Sequence, residues 1–178
     1  IEPPDANGIN LSLDPGLAFG TGSHPTTHLC LRWLDSQNLT GQTVIDYGCG
    51  SGILGIAALL LGAEKVIAVD NDPQALLATR DNAERNNIAA QRISTYLPDE
   101  VPQDAVGHTM LANILAAPLI QLSPRLISLT AANGQLCLSG LLEHQIEAVS
   151  QPYREAFKFD SPSIESEWAQ LSARKHSR

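Results

Sequence analysis

Between Val44 and Gly55 the chain reads V-I-D-Y-G-C-G-S-G-I-L-G. A short apolar run ends on Asp46, and glycines follow at positions 48, 50 and 52. The run predicts a buried strand, and the residues from Ser51 onward predict a helix. Glycine has no Cβ, so glycines at alternate positions let the backbone turn sharply and come close to a ligand. They also aim free N–H groups at the start of the helix toward it. A strand, a tight glycine turn and a helix in one piece point to an open α/β sheet with a ligand site at its strand ends.

The rest of the chain agrees with that architecture. Residues 1–22 are rich in Gly, Pro and Asp and read as an ordered loop leading into the domain at 23–178. His24-Pro25-Thr26-Thr27 opens a helix, with Ser23 or His24 as the cap and Pro25 in its first turn. Strands are expected at 43–46, 65–70, 91–96, 106–112 and 134–139. Helices are expected at 51–61, 73–86, 117–129 and 142–156, the second capped by Asp72. Segments 158–164 and 168–173 read as a closing antiparallel hairpin. Alternation of β and α elements with apolar strands predicts a mostly parallel sheet covered on both faces.

Two further residues join the glycine loop at the same sheet edge. Asp70 ends the second strand, 20 residues after Gly50, where a carboxylate accepts the hydroxyls of a ribose. Asp72 is better placed than Asp70 to cap the following helix. Asn113, in L-A-N-I-L-A, stands at the end of the fourth strand and brings an amide donor and acceptor. A helix-capping role there is equally compatible with its spacing.

The cofactor is the open question. Gly50-x-Gly52-x-x-Gly55 fits a dinucleotide fingerprint, whereas Asp46-x-Gly48-x-Gly50-x-Gly52 fits the loop of S-adenosylmethionine (AdoMet) methyltransferases. An acid before the first glycine would repel a pyrophosphate and attract a sulfonium or ammonium group. Asp46 therefore favours AdoMet over a nicotinamide.

Composition removes other classes. A net charge of −8 argues against binding nucleic acid directly, since that needs Lys and Arg to neutralise phosphates. No apolar run approaches the roughly 18 residues a membrane helix needs. The polar, proline-rich start does not resemble a signal peptide. Cys30, Cys49 and Cys137 lie far apart in sequence, which suits free thiols in a reducing cytoplasm. His24 and His28 have no partners at metal-ligand spacing, so no metal is expected.

Four segments carry a family resemblance: L-D-P-G-L-A-F-G-T-G-S-H-P-T-T (13–27), V-I-D-Y-G-C-G-S-G-I-L (44–54), A-V-D-N-D-P (68–73) and A-N-I-L-A (112–116). Together they resemble the PrmA family, the methyltransferases of large-subunit ribosomal protein L11, over about residues 9 to 175. The glycine loop alone marks only class I methyltransferases; the flanking segments narrow it. The resemblance implies a three-layer, Rossmann-like class I methyltransferase fold with a seven-stranded, mostly parallel sheet. It implies AdoMet as cofactor, and the α-amine and lysine ε-amines of L11 as substrates.

By motif, the resemblance carries AdoMet contacts over to Thr27, Gly48, Asp70 and Asn113. Phe19, Gly20 and Thr21 would line the cofactor or substrate side, and Asn113 would orient the amine. Full-length members carry an N-terminal domain that recognises L11, so the chain is expected to correspond to the catalytic domain alone. The competing readings are a methyltransferase for another amine, a nicotinamide oxidoreductase, and a non-catalytic AdoMet-binding module.

Overall fold

A computed structural model describes residues 24–177. The chain runs α1 (Pro25–Asp35), β1 (Thr43–Tyr47), α2 (Ile53–Leu60), β2 (Lys65–Val69), α3 (Pro73–Arg85), β3 (Ile93–Tyr96), β4 (Gly107–Asn113), α4 (Ala116–Gln121) and α5 (Ser123–Ser128). It closes with β5 (Thr130–Leu142), α6 (Ile146–Ser150), β6 (Phe157–Phe159), β7 (Ser163–Glu165) and β8 (Trp168–Lys175). The sheet order is β3-β2-β1-β4-β5-β8-β6, with β7 also on β8. The five strands β1 to β5 pair in parallel, and β8 pairs antiparallel with β5, β6 and β7. This is the expected class I methyltransferase architecture.

Side-chain alternation along each strand sorts the core into two layers. Val44, Val66, Leu111 and Cys137 face α1, α2 and α3 and pack with Leu34, Ile56 and Leu76. Ile45, Ile67, Met110 and Leu136 face the other way, against Leu119 of α4, Leu126 of α5 and Val149 of α6. Burying a Leu or Ile side chain contributes roughly 1.5–3 kcal/mol, so both faces must be covered. The sheet is therefore the middle of three layers.

The helix expected at 117–129 is two short ones meeting at Leu122. Pro124 lacks the N–H that would continue the first; it sits instead in the first turn of α5, where no such N–H is needed. The helix expected at 142–156 is interrupted in the same way. Only Ile146–Ser150 is α-helical, and a 3-10 turn containing Pro152 follows. The strand expected at 158–164 is split into β6 and β7, which pair with opposite ends of β8. Pro162 lies in the gap, where its missing N–H removes a ladder bond. The split raises the strand count from seven to eight without changing the topology.

β5 is longer than expected, running on to Leu142 through an irregularity between Ser139 and Leu141. Gly140 sits there at φ +96°, a conformation other residues rarely adopt. The chain leaves β1 outward to β2 and β3, then returns to β4 on the other side of β1. That reversal opens a crevice at the carboxyl ends of β1, β2 and β4, where such sheets place their ligands.

Candidate functional site

The glycine loop is built as its sequence suggests. Gly48, Gly50 and Gly52 have φ of +82°, +53° and +85°. Gly48 N and Cys49 N donate to Val69 O at 2.7 and 3.0 Å, holding the loop against β2. A Cβ on Gly48 would fall 2.4 Å from Ile114 Cγ2, so the turn is packed directly against the end of β4. Gly52 caps α2 and does not line the crevice; its Cβ would meet Thr79 Cγ2 at 2.9 Å.

The neighbouring helix α3 clamps the same loop, which the sequence reading missed. Thr79 Oγ1 donates to Gly50 O at 3.1 Å, and Asn82 Nδ2 donates to Ser51 O at 2.9 Å. Both residues are buried and lie three apart, on one side of the helix. The available signal was two short polar side chains inside an otherwise apolar stripe. The Thr79 hydroxyl also lies 3.3 Å from Cys49 Sγ, and burial pushes that thiol well up.

Asp46 follows Val44 on the α2 side of the sheet and is buried. Its Oδ2 accepts from Gly55 N at 3.1 Å. A side chain at 55 would crowd both Val66 (Cβ to Cγ1 2.9 Å) and Asp46 (3.3 Å to Oδ2). Burial pushes the Asp46 carboxyl up to about 7, the Gly55 N–H opposes the shift, and the Asp70 charge adds to it. Asp46 thus combines a packing role with a latent negative charge at the crevice wall.

Asp70 holds two backbone groups. Gly50 N donates to its Oδ2 and Asp72 N to its Oδ1, each at 3.0 Å. Asp72 in turn caps α3 through Gln74 N at 2.9 Å. Asp70 therefore links the glycine loop to the α3 cap. A carboxylate has about four acceptor sites, so two remain for ribose hydroxyls.

Asn113 ends β4 beside Ser139 of β5. Its Nδ2 donates to Thr27 Oγ1 at 3.4 Å. Thr27 is fully buried in the first turn of α1. His24 caps that helix by accepting from Thr26 N at 3.2 Å, and its ring meets Trp168 edge-on at 5.2 Å. The H-P-T-T segment is thereby fixed between β8 and the crevice. His28 pairs with Glu165 at 2.9 Å.

Thr27, Asp46, Gly48, Gly50, Asp70 and Asn113 all line one cavity of about 430 Å³. Phe19, Gly20 and Thr21 lie outside the described residues. The sequence reading did not foresee Tyr47, Asn71, Pro98, Ile114, Pro118 and Leu122 as wall residues. Most are apolar and carry no chemical signature; only their adjacency to Asp46, Asp70 and Asn113 gave a hint.

Residues 1–176 match the family described as ribosomal protein L11 methyltransferase (PrmA). The chain belongs to that family. It is 57% identical over 174 residues to a ribosomal protein L11 methyltransferase of Cellvibrio japonicus, covering 98% of this chain and 59% of the relative. A Vibrio cholerae relative of the same description is 55% identical over 174 residues, with the same coverage of each chain. The crystal structure of a ribosomal protein L11 methylase from Lactobacillus delbrueckii subsp. bulgaricus superposes with a TM-score of 0.87 at 35% identity. That match covers 99% of this chain and 91% of the other. The chain spans about 59% of the length of the curated relatives it matches.

Proposed function

We propose that this chain binds AdoMet in the cavity above the glycine loop and methylates amines of ribosomal protein L11, namely its α-amine and lysine ε-amines. The observation that carries the reading is the convergence of Asp46, Asp70 and Asn113 on one cavity at the topological reversal of the sheet. Membership of the L11 methyltransferase family, and the names its relatives carry, support the substrate.

The residues fit the group. Gly48 and Gly50 keep the floor free of side chains, so the backbone meets the ligand directly. Asp70 retains acceptor capacity for both ribose hydroxyls. Asp46 is a buried carboxyl that accepts a hydrogen bond from an uncharged N–H, that of Gly55. A cation in the cavity would offset the burial that raises its pKa, whereas a pyrophosphate would aggravate it. When bound, AdoMet would supply a methyl group on a sulfonium: a neutral amine would form the N–C bond as the C–S bond breaks, with the electron pair and the leaving group on sulfur.

The protein's contribution is orientation. Asn113 gives its amide N–H to Thr27, so its Oδ1 is left to accept an N–H of the incoming amine. That bond would aim the nitrogen lone pair at the methyl. A lysine of ordinary pKa near 10.4 must first lose a proton, and an α-amine near 7.7–8.0 does so more readily. Proton loss to water before docking suffices, and no side chain has to act as the base. Repeated methylation requires the amine to turn and present itself again, which one amide contact permits.

A cytoplasmic location belongs to the same proposal. Cys30, Cys49 and Cys137 are free and buried, which suits a reducing compartment. Among the described residues no helix is long and apolar enough to cross a membrane.

The test is incubation of the full-length protein with labelled AdoMet and purified L11. Label on L11 is expected. AdoMet binding without label on L11 would remove the substrate assignment and leave a methyltransferase for another amine or a binding module.

A further inference from the structure

Leu115 breaks two local rules at once. It is the most exposed large apolar residue among those described, at 67%. It is also the N-cap of α4, with φ −67° and ψ 161° and no side-chain capping bond. That position favours Ser, Thr, Asp or Asn, whose oxygen accepts an otherwise unpaired helix N–H. A leucine there forgoes the cap and leaves apolar surface in water. Sites where a local rule is broken without a packing gain tend to be functional.

Its surroundings say what it would serve. Leu115 directly precedes α4, Pro118 lies within it and Leu122 directly follows it. Pro118 and Leu122 line the cavity, as do Ile114 and Asn113 immediately before Leu115. Leu119 and Ala116, further round the helix, are buried in the core. Leu115 thus follows directly in the chain on the wall residues Asn113 and Ile114 and stands exposed beside them.

We infer that Leu115 is a specificity-determining residue that packs against the aliphatic stem of a lysine whose amine reaches Asn113. A lysine carries four methylenes behind its nitrogen and buries them on apolar surface. A chain's α-amine has no such stem, so the same contact would favour ε-amines over α-amines. This rests on the amine methyl-transfer reading above.

The experiment compares wild type with Leu115→Ser and Leu115→Met in the full-length protein, with L11 below saturation and AdoMet in excess. Methylation rates of each lysine and of the N-terminal amine are read by peptide-mapping mass spectrometry. Losing about half of a leucine's contact predicts a five- to tenfold lower lysine rate for L115S, roughly one decade per 1.4 kcal/mol. The loss should lie in KM for L11, with AdoMet affinity unchanged. The α-amine rate should fall less, and L115M should retain the wild-type pattern. Serine restores a cap, so the melting temperature should hold or rise. An unchanged lysine rate, an equal loss at both kinds of amine, or a parallel drop in AdoMet affinity would overturn the inference alone. A wild-type protein that methylates no amine of L11 would overturn it together with the reading beneath it.

Discussion

Replacing Gly140 with alanine should be far more damaging than the addition of one methyl group suggests. Gly140 has φ +96°, and a Cβ there would lie 2.1 Å from Ile114 O, 2.7 Å from Ile114 C and 3.0 Å from Ile114 N. These are backbone atoms, and Ile114 N is already bonded to Ser139 O at 3.0 Å. Real Cβ contacts essentially never fall below 3.0 Å, so the 2.1 Å contact requires a retreat of about 0.9 Å (3.0 minus 2.1). The backbone conformation costs an alanine about 1–3 kcal/mol. The overpacking costs a further 1–3 kcal/mol or so. A total on the order of 4 kcal/mol is expected by urea unfolding. Gly41→Ala is the matched control, because Gly41 has φ +75° and nothing within 4 Å of its Cβ. It should lose only the conformational part, about 1–2 kcal/mol. The displaced segment carries Asn113, so folded G140A should also transfer methyl groups about 100-fold more slowly, as a misplacement near 1 Å can. Equal destabilisation by G140A and G41A would refute the steric reasoning. Full methyl transfer by folded G140A would refute the claim that Ile114 sets the position of Asn113.

Other residues of the cavity give separable outcomes. Asp70→Ala removes a charged acceptor worth roughly 1.5–3 kcal/mol, so AdoMet affinity in calorimetry should fall by about ten- to 100-fold. Asn113→Ala should lower turnover even at saturating AdoMet, and full turnover would remove its orienting role. The folded Asp46 carboxyl is raised by burial to about 7 from an ordinary 3.8, so the folded state binds the extra proton between those values. The stability it contributes is therefore present at low pH and lost as pH rises toward 7, and Asp46→Asn should flatten that part of the pH–stability curve. If a cation then binds beside the ionised form, AdoMet uptake near pH 7 should release a proton, seen as a dependence of the binding enthalpy on buffer.

The sheet was legible because its strands are short apolar runs separated by helices with clear stops. The Gly62 and Asp72 boundaries match their observed positions closely. Asp70 and Asn113 were legible because strand ends in a parallel sheet share one edge, so residues far apart in sequence converge there. The helix breaks were misplaced where a local proline competed with a long apolar pattern: Pro124 and Pro152 prevailed over the periodicity around them. Thr79 and Asn82 escaped notice because their partners are carbonyls of a different segment, a pairing that only the packed fold creates. The hydrogen bond from Gly55 to Asp46 is local packing that the fingerprint spacing alone does not reveal.

The central claim is that this cavity is made for AdoMet. Calorimetric titration of the protein with AdoMet and, separately, with NADH tests it most directly. The account predicts saturable one-to-one binding of AdoMet that D70A weakens, and no measurable heat from NADH. Binding of NADH in place of AdoMet, or AdoMet binding that D70A leaves untouched, would contradict it.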